Sequence, residues 1–419
     1  MANAFNKEET VMFEDLIMGF DSDNICAKQS SVFRPGESQT ERSGDTYWRP
    51  QPYISTTVSG RSVVDGDFTG LTQLAVPTTA DIAENVLWDL NAWELRDPLQ
   101  RERKIDSAKQ TLSAVVNRAI AEVVALQGSL VVVDAGAATG YDDIATAEAR
   151  MGNEEIGLEK QRTYLANMTD YKNVAANLAN RETMMGKPNT AYTLSFVGPV
   201  AGFDTFRTSF QPTLLGSAAA TTVNGAQSYI PLATQPNAIN GGESNVDNRT
   251  MDLTVAASAG FVVGDAITIA GVNAASMINK EDIGELRTFR VTDVPDGTTL
   301  TITPPVIDIA GANQSEKEYG NCTSPAPNAA AITVINTTTA RVNSFWCRDS
   351  IEIFAAPVAI PASDMPGLAT MRGQTDSGIE IVLAKQGGIN DLNAKYRFLI
   401  NFGVANLQPQ MNGIQLFNQ

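Results

Sequence analysis

The chain has 419 residues, of which 30 are Lys or Arg and 47 are Asp or Glu, so its formal net charge is −17. It contains no histidine, which excludes Ser-His-Asp and Cys-His catalysis, imidazole metal ligands and histidine-based pH switches. The acidic balance also argues against a protein that grips nucleic acid, since phosphate binding usually needs a basic face. An apolar fraction of 43% and a charged fraction of 18% indicate a globular chain, and the length predicts two or three domains.

The cysteines and the N-terminus suggest neither export nor a membrane. Cys26, Cys322 and Cys347 are odd in number and far apart, with no CxxC pair, so we expect three reduced thiols and neither a zinc site nor a disulfide framework. The first residues lack the charged-then-apolar pattern of a signal peptide. Because no apolar run approaches about 18 residues, we expect no membrane-spanning segment.

The first 80 residues divide into two parts. Within residues 1–35, apolar side chains between Val11 and Phe20 recur with a loose helical period and predict a short helix. Residues 36–80 are rich in Ser, Thr, Gly and Pro and contain short alternating stretches, which predict an extended arm or a long hairpin. Long excursions of this kind are usually functional, and one possible function is contact with a neighbouring molecule.

The strongest local signal follows at residues 98–127. Asp97 can cap a helix, Pro98 suits its first position, and Gln100 lies three residues after the cap. Apolar residues then repeat at steps of three and four until Gly128, a typical stop. About 30 residues at 1.5 Å each make a rod of roughly 45 Å, which we interpret as a structural spine. A coiled coil is the competing interpretation, but the heptad register drifts.

Short strands and helices alternate after the spine. Residues 130–134 form an apolar run typical of a buried strand, and residues 142–150 and 169–178 have helical patterns. For the last helix the sequence predicts Thr169 or Asp170 as the cap. This alternation favours an α+β fold.

The composition changes near Thr221. From there to about Arg341, alternating Thr, Val, Ile and Ala predict a small antiparallel barrel or sandwich. The predicted strands are 250–255, 266–270, 288–291 and 298–303. A mixed pattern returns at Asn343, so the β segment is an insertion into the α+β part.

Motifs for chemistry are missing from the sequence. It has no dinucleotide or phosphate-binding glycine motif and no GxSxG elbow. Acidic clusters such as Glu154-Glu155 lack calcium-loop spacing, and we expect them to be solvated surface or helix starts. We therefore expect no catalytic residue, no cofactor site and no metal site.

Two charged regions are candidates for contact with other subunits. The stretch 97–104 is either a solvated helix start or a subunit contact, and the loop 240–249 is either an exposed hairpin tip or a charged finger that reaches another molecule. A large tryptophan in the extended region is a further anchor. The candidate contact residues are Trp48, Asp97, Arg101, Arg103, Glu243, Asp247 and Arg249.

Fragments spread over almost the whole chain resemble, in the same order, the coat proteins of the short-tailed Salmonella phages, a branch of the tailed-phage major capsid family. No single fragment is specific, but their collinearity and the placement of the β insertion are. The matching stretches include Thr46-Tyr47-Trp48 with Pro50, Leu95-Arg96-Asp97, Gly128-Ser129-Leu130-Val131, Val200-Ala201-Gly202-Phe203-Asp204, Asn245-Val246-Asp247-Asn248-Arg249 and Phe345-Trp346.

The resemblance implies an α+β capsid fold of the Hong Kong 97 type with a division into regions. These would be an N-terminal arm at 1–35, an extended loop at 36–90 that overlaps an adjacent subunit, a peripheral domain at 91–221 that includes the spine helix 98–127 and the start of the axial domain, an inserted antiparallel β-barrel domain at 222–341, and the rest of the axial domain at 342–419. Within the insertion, the loop 240–249 matches the family's loop that reaches the next capsomer, with Asn245–Arg249 as its best-matched part.

The same resemblance implies that the chain is a major capsid protein. Family members assemble as pentamers and hexamers into T=7 procapsids on a scaffolding protein, and the shell expands as double-stranded DNA enters. The implied partners are many copies of itself, a scaffolding protein and a portal protein, with no sequence-specific DNA contact and no membrane. The implied location is the virion capsid, assembled in the cytoplasm of the bacterial host. A negative inner wall would let packaged DNA slide instead of adsorb.

Two other interpretations remain open. An encapsulin-like cargo compartment could use the same fold, although the β insertion and the collinearity disfavour it. An intracellular enzyme with a β accessory domain would need a pocket with perturbed carboxylates or a thiolate. The missing histidine and nucleotide motifs disfavour the enzyme.

Overall fold

The computed structural model describes residues 5, 7–36, 46–58, 60–65, 68, 70–91, 94, 97–156, 160–183, 197–237, 241–358, 368–388 and 393–419. The α-helices within these residues are α1 Lys7–Asp23, α2 Ile25–Lys28, α3 Pro98–Gln127, α4 Tyr141–Gly152, α5 Met168–Thr183 and α6 Gln314–Tyr319. Two 3-10 turns lie at Arg348–Ser350 and Pro409–Met411.

Strands account for much of the remaining described chain. In chain order they are β1 Ser31–Phe33, β2 Thr46–Pro50, β3 Ala75–Thr79, β4 Ile82–Leu90, β5 Leu130–Asp134, β6 Arg162–Asn167, β7 Asp204–Thr208, β8 Thr213–Leu214, β9 Ala220–Thr222, β10 Thr234–Pro236, β11 Glu243–Asn245, β12 Met251–Thr254, β13 Ala266–Ala275, β14 Asp282–Asp296, β15 Thr299–Thr303, β16 Ala331–Val334, β17 Ala340–Arg341, β18 Asn343–Cys347, β19 Ile351–Ala355, β20 Ala369–Gln374, β21 Glu380–Gly388, β22 Asn393–Asn406 and β23 Asn412–Phe417.

The chain divides into two compact units. Unit 1 combines Met1–Tyr47, Thr78–Ile120 and Ile351–Ala405, and unit 2 combines Trp48–Pro77, Ala121–Ser350 and Asn406–Gln419. The segment 342–419, which the family resemblance assigns to one axial domain, is thus shared between both units. The region boundaries implied by the resemblance therefore stay a proposal.

Unit 1 is built on a sheet with the strand order β1-β19-β22-β21-β20, and β4 also pairs with β22. Helix α1 buries Phe13, Leu16 and Phe20, and the Phe13 ring lies 6.5 Å from that of Phe398 in β22. Glu9 accepts hydrogen bonds from the Lys385 ammonium and the Tyr396 hydroxyl, each at 2.7 Å. The N-terminal helix is thereby fixed to the sheet by apolar packing and by an ion pair.

Helix α3 begins and ends where capping chemistry predicts. The Leu99 amide donates to Asp97 Oδ1 at 3.1 Å, which satisfies a free donor of the first turn. Gly128 stops the helix, and a Cβ there would lie only 3.0 Å from Gly413 Cα and 2.6 Å from the Val124 carbonyl oxygen. The predicted bounds 98–127 are confirmed.

Unit 2 contains two larger sheets. The first has the order β5-β23-β18-β6-β7 and is mixed, because β5 is parallel to β23 and β6 to β7 while the central pairs are antiparallel. Helices α4 and α5 supply side chains to its core around Tyr164 and Phe203. The second sheet has the order β12-β15-β14-β13-β16-β9 and is antiparallel throughout. We call this second sheet, with α6, the β9–β16 module.

Two local predictions are wrong. Helix α5 begins at Met168, and its cap is Asn167, whose Oδ1 accepts the amides of Thr169 and Asp170 at 3.0 Å. Glu154 is not solvated surface. Its side chain is fully buried and its two oxygens lie 2.6 and 2.8 Å from Arg287 Nη1 in β14.

Candidate subunit-contact surfaces

The most exposed apolar surface of unit 2 lies on residues 48–77, which we call the extended segment. β2 and β3 pair with each other, and the described residues between them contain no strand, so the segment leaves from and returns to one pair of strands. Side chains that are 49–76% exposed follow one another along it. They are Tyr53, Val58, Val63, Val64, Phe68 and Leu71. A run of large apolar side chains in water marks a surface that another molecule covers.

An apolar side chain is buried near each end of the extended segment. Ile54 is 8% exposed and Leu74 is 3% exposed, and both pack with Met277, Ile307 and Tyr319 of unit 2. The sequence indicated an extended segment but gave no signal for this packing, because the partners lie more than 200 residues away. Trp48, the predicted anchor, lies in β2 and is 38% exposed.

The charged start of α3 combines a structural role with an exposed one. Asp97 is used as the helix cap described above. Arg103 is exposed on the helix, whereas the side chain of Arg101 lies outside the described part of the structure. Leu99, in the first turn of the helix, is 51% exposed. Arg103 is therefore an exposed cation of this stretch that is available to another subunit.

The three candidate residues of the loop also divide into an intrachain ion pair and an exposed charge. Asp247 and Arg249 form an ion pair with each other, with Nη2 to Oδ2 at 2.7 Å and Nε to Oδ1 at 2.9 Å. Arg249 Nη1 also donates to the carbonyl oxygen of Asn406 at 3.1 Å. Glu243 is exposed in β11, opposite Pro236 of β10. Residues 238–240 lie outside the described residues. Of the three predicted loop charges, Glu243 is thus the one that points outward without an intrachain ion pair in the described chain.

The thiols and acidic groups of the described residues form no chemical centre. No group of three His, Cys, Asp or Glu side chains comes close enough there to hold a metal ion. The three cysteines are free and buried, and burial raises the pKa of both Cys26 and Cys322 to about 12. Thiols of this kind are inert packing groups at neutral pH. Among the described helices, none combines the length and the apolar character that a membrane crossing requires.

The family of the chain is decided by a family model that covers nearly all of it. The model described as P22 coat protein, gene protein 5, matches residues 1–418. The chain belongs to the P22 coat protein family. The resemblance inferred from collinear fragments is thereby confirmed, as is the mixed α+β class. Like the rest of this family, the chain is a major capsid protein, a structural subunit of a tailed-phage shell.

Several solved structures are similar to this chain. The capsid of the cyanophage P-SCSP1u is 11% identical over 93% of this chain and 86% of that one, with a TM-score of 0.45. The CUS-3 coat protein I-domain is 34% identical over 29% of this chain and 98% of that one, with a TM-score of 0.23. A virus-like particle from Pyrococcus furiosus is 8% identical over 98% of this chain and 100% of that one, with a TM-score of 0.42. All three TM-scores lie below 0.5, so the assignment rests on the family match.

Proposed function

We propose that copies of this coat protein assemble as pentamers and hexamers around a scaffolding protein and a portal protein into a closed icosahedral procapsid. The procapsid, of T=7 geometry, expands when double-stranded DNA enters, and the shell encloses the DNA without reading its sequence. Assembly takes place in the cytoplasm of the bacterial host. Each subunit has the Hong Kong 97 architecture with the regions named above, from the arm at 1–35 to the axial part that ends at 419.

The observation that carries this proposal, beyond family membership, is the exposed apolar run of the extended segment. Phe68 is 76% exposed and Val64 is 65% exposed, and a protein that stays a monomer rarely exposes several large apolar side chains in one segment. A shell of identical subunits offers the same covering surface to every copy, because its contacts are heterologous and close into rings. A loop that covers a neighbour adds shared area without enlarging the core.

The charged candidates fit a supporting role at these contacts. Arg103 and Glu243 have exposed side chains and are proposed to pair across subunits. Trp48 and the Asp247–Arg249 pair are proposed to pack against a neighbouring subunit. Asp97 is proposed to support the contact by capping α3. Arg101 stays a predicted contact residue of the same stretch. Exposed ion pairs contribute at most about 1 kcal/mol each, so they direct contacts more than they hold the shell together.

The test is coexpression of the chain with the scaffolding protein of its phage, followed by sedimentation and electron microscopy. We expect closed particles of uniform diameter for the wild type. The variant Val64→Ser/Phe68→Ser should stay folded by circular dichroism but should fail to form closed particles. Leu286→Ser, which changes an apolar residue that is 40% exposed elsewhere in unit 2, is the matched control. A wild-type chain that remains monomeric under these conditions would contradict the proposal. Shells that enclose a protein cargo in place of DNA in the infected cell would favour the encapsulin-like compartment.

A further inference from the structure

We propose that Glu318 and Tyr319 of the β9–β16 module are positioning residues that clamp the base of the extended segment and so set the direction in which its apolar tip meets a second copy of the chain. The tip means residues 55–71. This inference rests on the proposed function for the role of the tip, but the clamp itself is a feature of the single chain.

The clamp holds both backbone groups of one residue. The Thr72 amide donates to Glu318 Oε2 at 3.0 Å, and the Tyr319 hydroxyl donates to the Thr72 carbonyl oxygen at 2.8 Å. Both contacts come from the C-terminal end of helix α6. Two consecutive side chains therefore fix the position and the orientation of the peptide groups on either side of Thr72, as a strand pairing would.

The clamp residues are themselves held rigidly. Glu318 is fully buried and Tyr319 is 5% exposed. Glu318 Oε1 accepts a hydrogen bond from Gln314 at 3.0 Å. The Lys280 ammonium donates to the Glu318 and Gly320 carbonyl oxygens at 2.8 and 3.0 Å, which fixes the backbone at the end of α6. A buried carboxylate without hydrogen-bond donors would be costly, so the Thr72 amide and the Gln314 side chain hold the Glu318 carboxylate in one position.

Further hydrogen bonds hold the other half of the base, which consists of the residues on either side of the tip. The Gln51 amide donates to the Leu74 carbonyl oxygen at 2.8 Å, so the two ends of the extended segment are joined to each other. Gln51 Nε2 donates to the Leu407 carbonyl oxygen at 2.7 Å. Beneath them lies the apolar cluster that contains Ile54 and Leu74. The tip thus leaves a base that is fixed on both sides.

A fixed base matters for association. A loop that must be ordered on binding pays conformational entropy, and a loop that is already held in place pays less. Removal of the clamp should leave the module folded, because the lost contacts lie at its surface toward the segment, but it should release the base. The tip would then sample more directions and join a second copy less efficiently.

The test uses the full-length chain with the variants Tyr319→Phe and Thr72→Pro, separately and together. The first removes the hydroxyl that donates to Thr72, and the second removes the amide that donates to Glu318. The matched control is Tyr164→Phe, which removes a buried phenolic hydrogen bond of 2.8 Å to Gln415 in the other large sheet of unit 2. Circular dichroism and the urea midpoint establish that each variant is folded.

Two readouts separate the clamp from its role in assembly. Arg61 is the one Lys or Arg within residues 55–71, so trypsin cleavage after Arg61 in the unassembled chain, followed by mass spectrometry, measures the freedom of the tip. We expect cleavage to be about tenfold faster in the double clamp variant, the ratio that corresponds to the loss of one or two hydrogen bonds, and unchanged in Tyr164→Phe. Unchanged cleavage in the folded double variant would overturn the clamp.

The second readout is the rate of scaffold-assisted assembly, followed by light scattering. We expect the double clamp variant to assemble at least severalfold more slowly than the wild type and the control. Faster cleavage together with a wild-type assembly rate would overturn the positioning role and keep the clamp. If the wild type itself fails to assemble, the proposed function is wrong, and the cleavage result still decides the clamp.

Discussion

The buried ion pair between Glu154 and Arg287 offers a sharp test of how unit 2 is held together. It joins the second residue after α4 to strand β14, over a sequence separation of 133 residues, and both side chains are 0% exposed. The perturbation is Arg287→Met, which keeps most of the side-chain volume and removes the cation. The Glu154 carboxylate is then left in the interior without the guanidinium that now contacts both of its oxygens.

The expected cost is large because the remaining charge cannot reach water. Breaking a buried ion pair on one side costs about 3 to 5 kcal/mol, against a total stability of about 5 to 15 kcal/mol for a typical protein. Arg150, which is 7% exposed, is near enough for the charges of Glu154 and Arg287 to act on its pKa, although burial lowers that pKa more strongly than either. Partial compensation by Arg150 places the expected loss toward the lower end, at about 3 kcal/mol.

The assay is urea unfolding followed by tryptophan fluorescence, since Trp346 is fully buried in β18 of the same unit. Amide hydrogen exchange of α4 and β14 shows whether the loss is local to the pair. The control is Lys160→Met, which breaks the pair with Asp349 whose side chains are 44% and 51% exposed. An exposed pair of this kind should contribute no more than about 1 kcal/mol.

The double variant Glu154→Leu/Arg287→Met removes both charges of the pair. Within the described residues, Arg287 Nε and Nη2 have no hydrogen-bond acceptor, so the native pair is incompletely satisfied. An apolar pair of similar volume should therefore recover most of the lost stability. A single variant that loses less than about 1 kcal/mol, or a double variant no more stable than the single, would refute this account of the pair.

Three further predictions follow from the described geometry. Asn167→Ala removes the cap of α5 and should lower the free energy of unfolding by about 1 to 2 kcal/mol, measured by urea unfolding; a loss within about 0.3 kcal/mol of zero would show that Thr169 caps in its place. Burial lowers the pKa of Lys280 to about 8 from 10.5, so between these pH values the folded chain binds fewer protons than the unfolded chain. The free energy of unfolding contributed by Lys280 should therefore rise by up to about 3 kcal/mol as the pH goes from 8 to 10.5. The difference in unfolding free energy between wild type and Lys280→Met should grow across that window, and a constant difference would contradict the shift. Cys26 and Cys322 should resist Ellman's reagent at pH 8 in the native chain and react once it is unfolded in urea, because burial raises the pKa of each to about 12; rapid native reaction would show that they are accessible.

Elements whose signals are local could be predicted from the sequence. Helix α3 has its cap, its first-turn proline, its apolar stripe and its stop glycine within one contiguous stretch, so both ends were found. The alternating strands β12 and β15 lie within one residue of their predicted bounds at each end. The cap of α5 was missed because Asn167, Thr169 and Asp170 are all competent caps, and only the direction of the chain leaving β6 selects the first of them.

Features that depend on distant partners could not be predicted. Glu154 looks like any surface glutamate until Arg287 is placed against it. The clamp on Thr72 joins residues about 246 positions apart. In each case the residue type was visible in the sequence, but its partner and its burial were decided by the tertiary fold.

The central claim is that the exposed apolar run of the extended segment is covered by another copy of the same chain. Cryo-electron microscopy of particles assembled with the scaffolding protein tests it most directly. We expect closed shells in which the side chains of Val64 and Phe68 lie against a neighbouring subunit. Closed shells in which both side chains face solvent, or pack only on their own subunit, would contradict it.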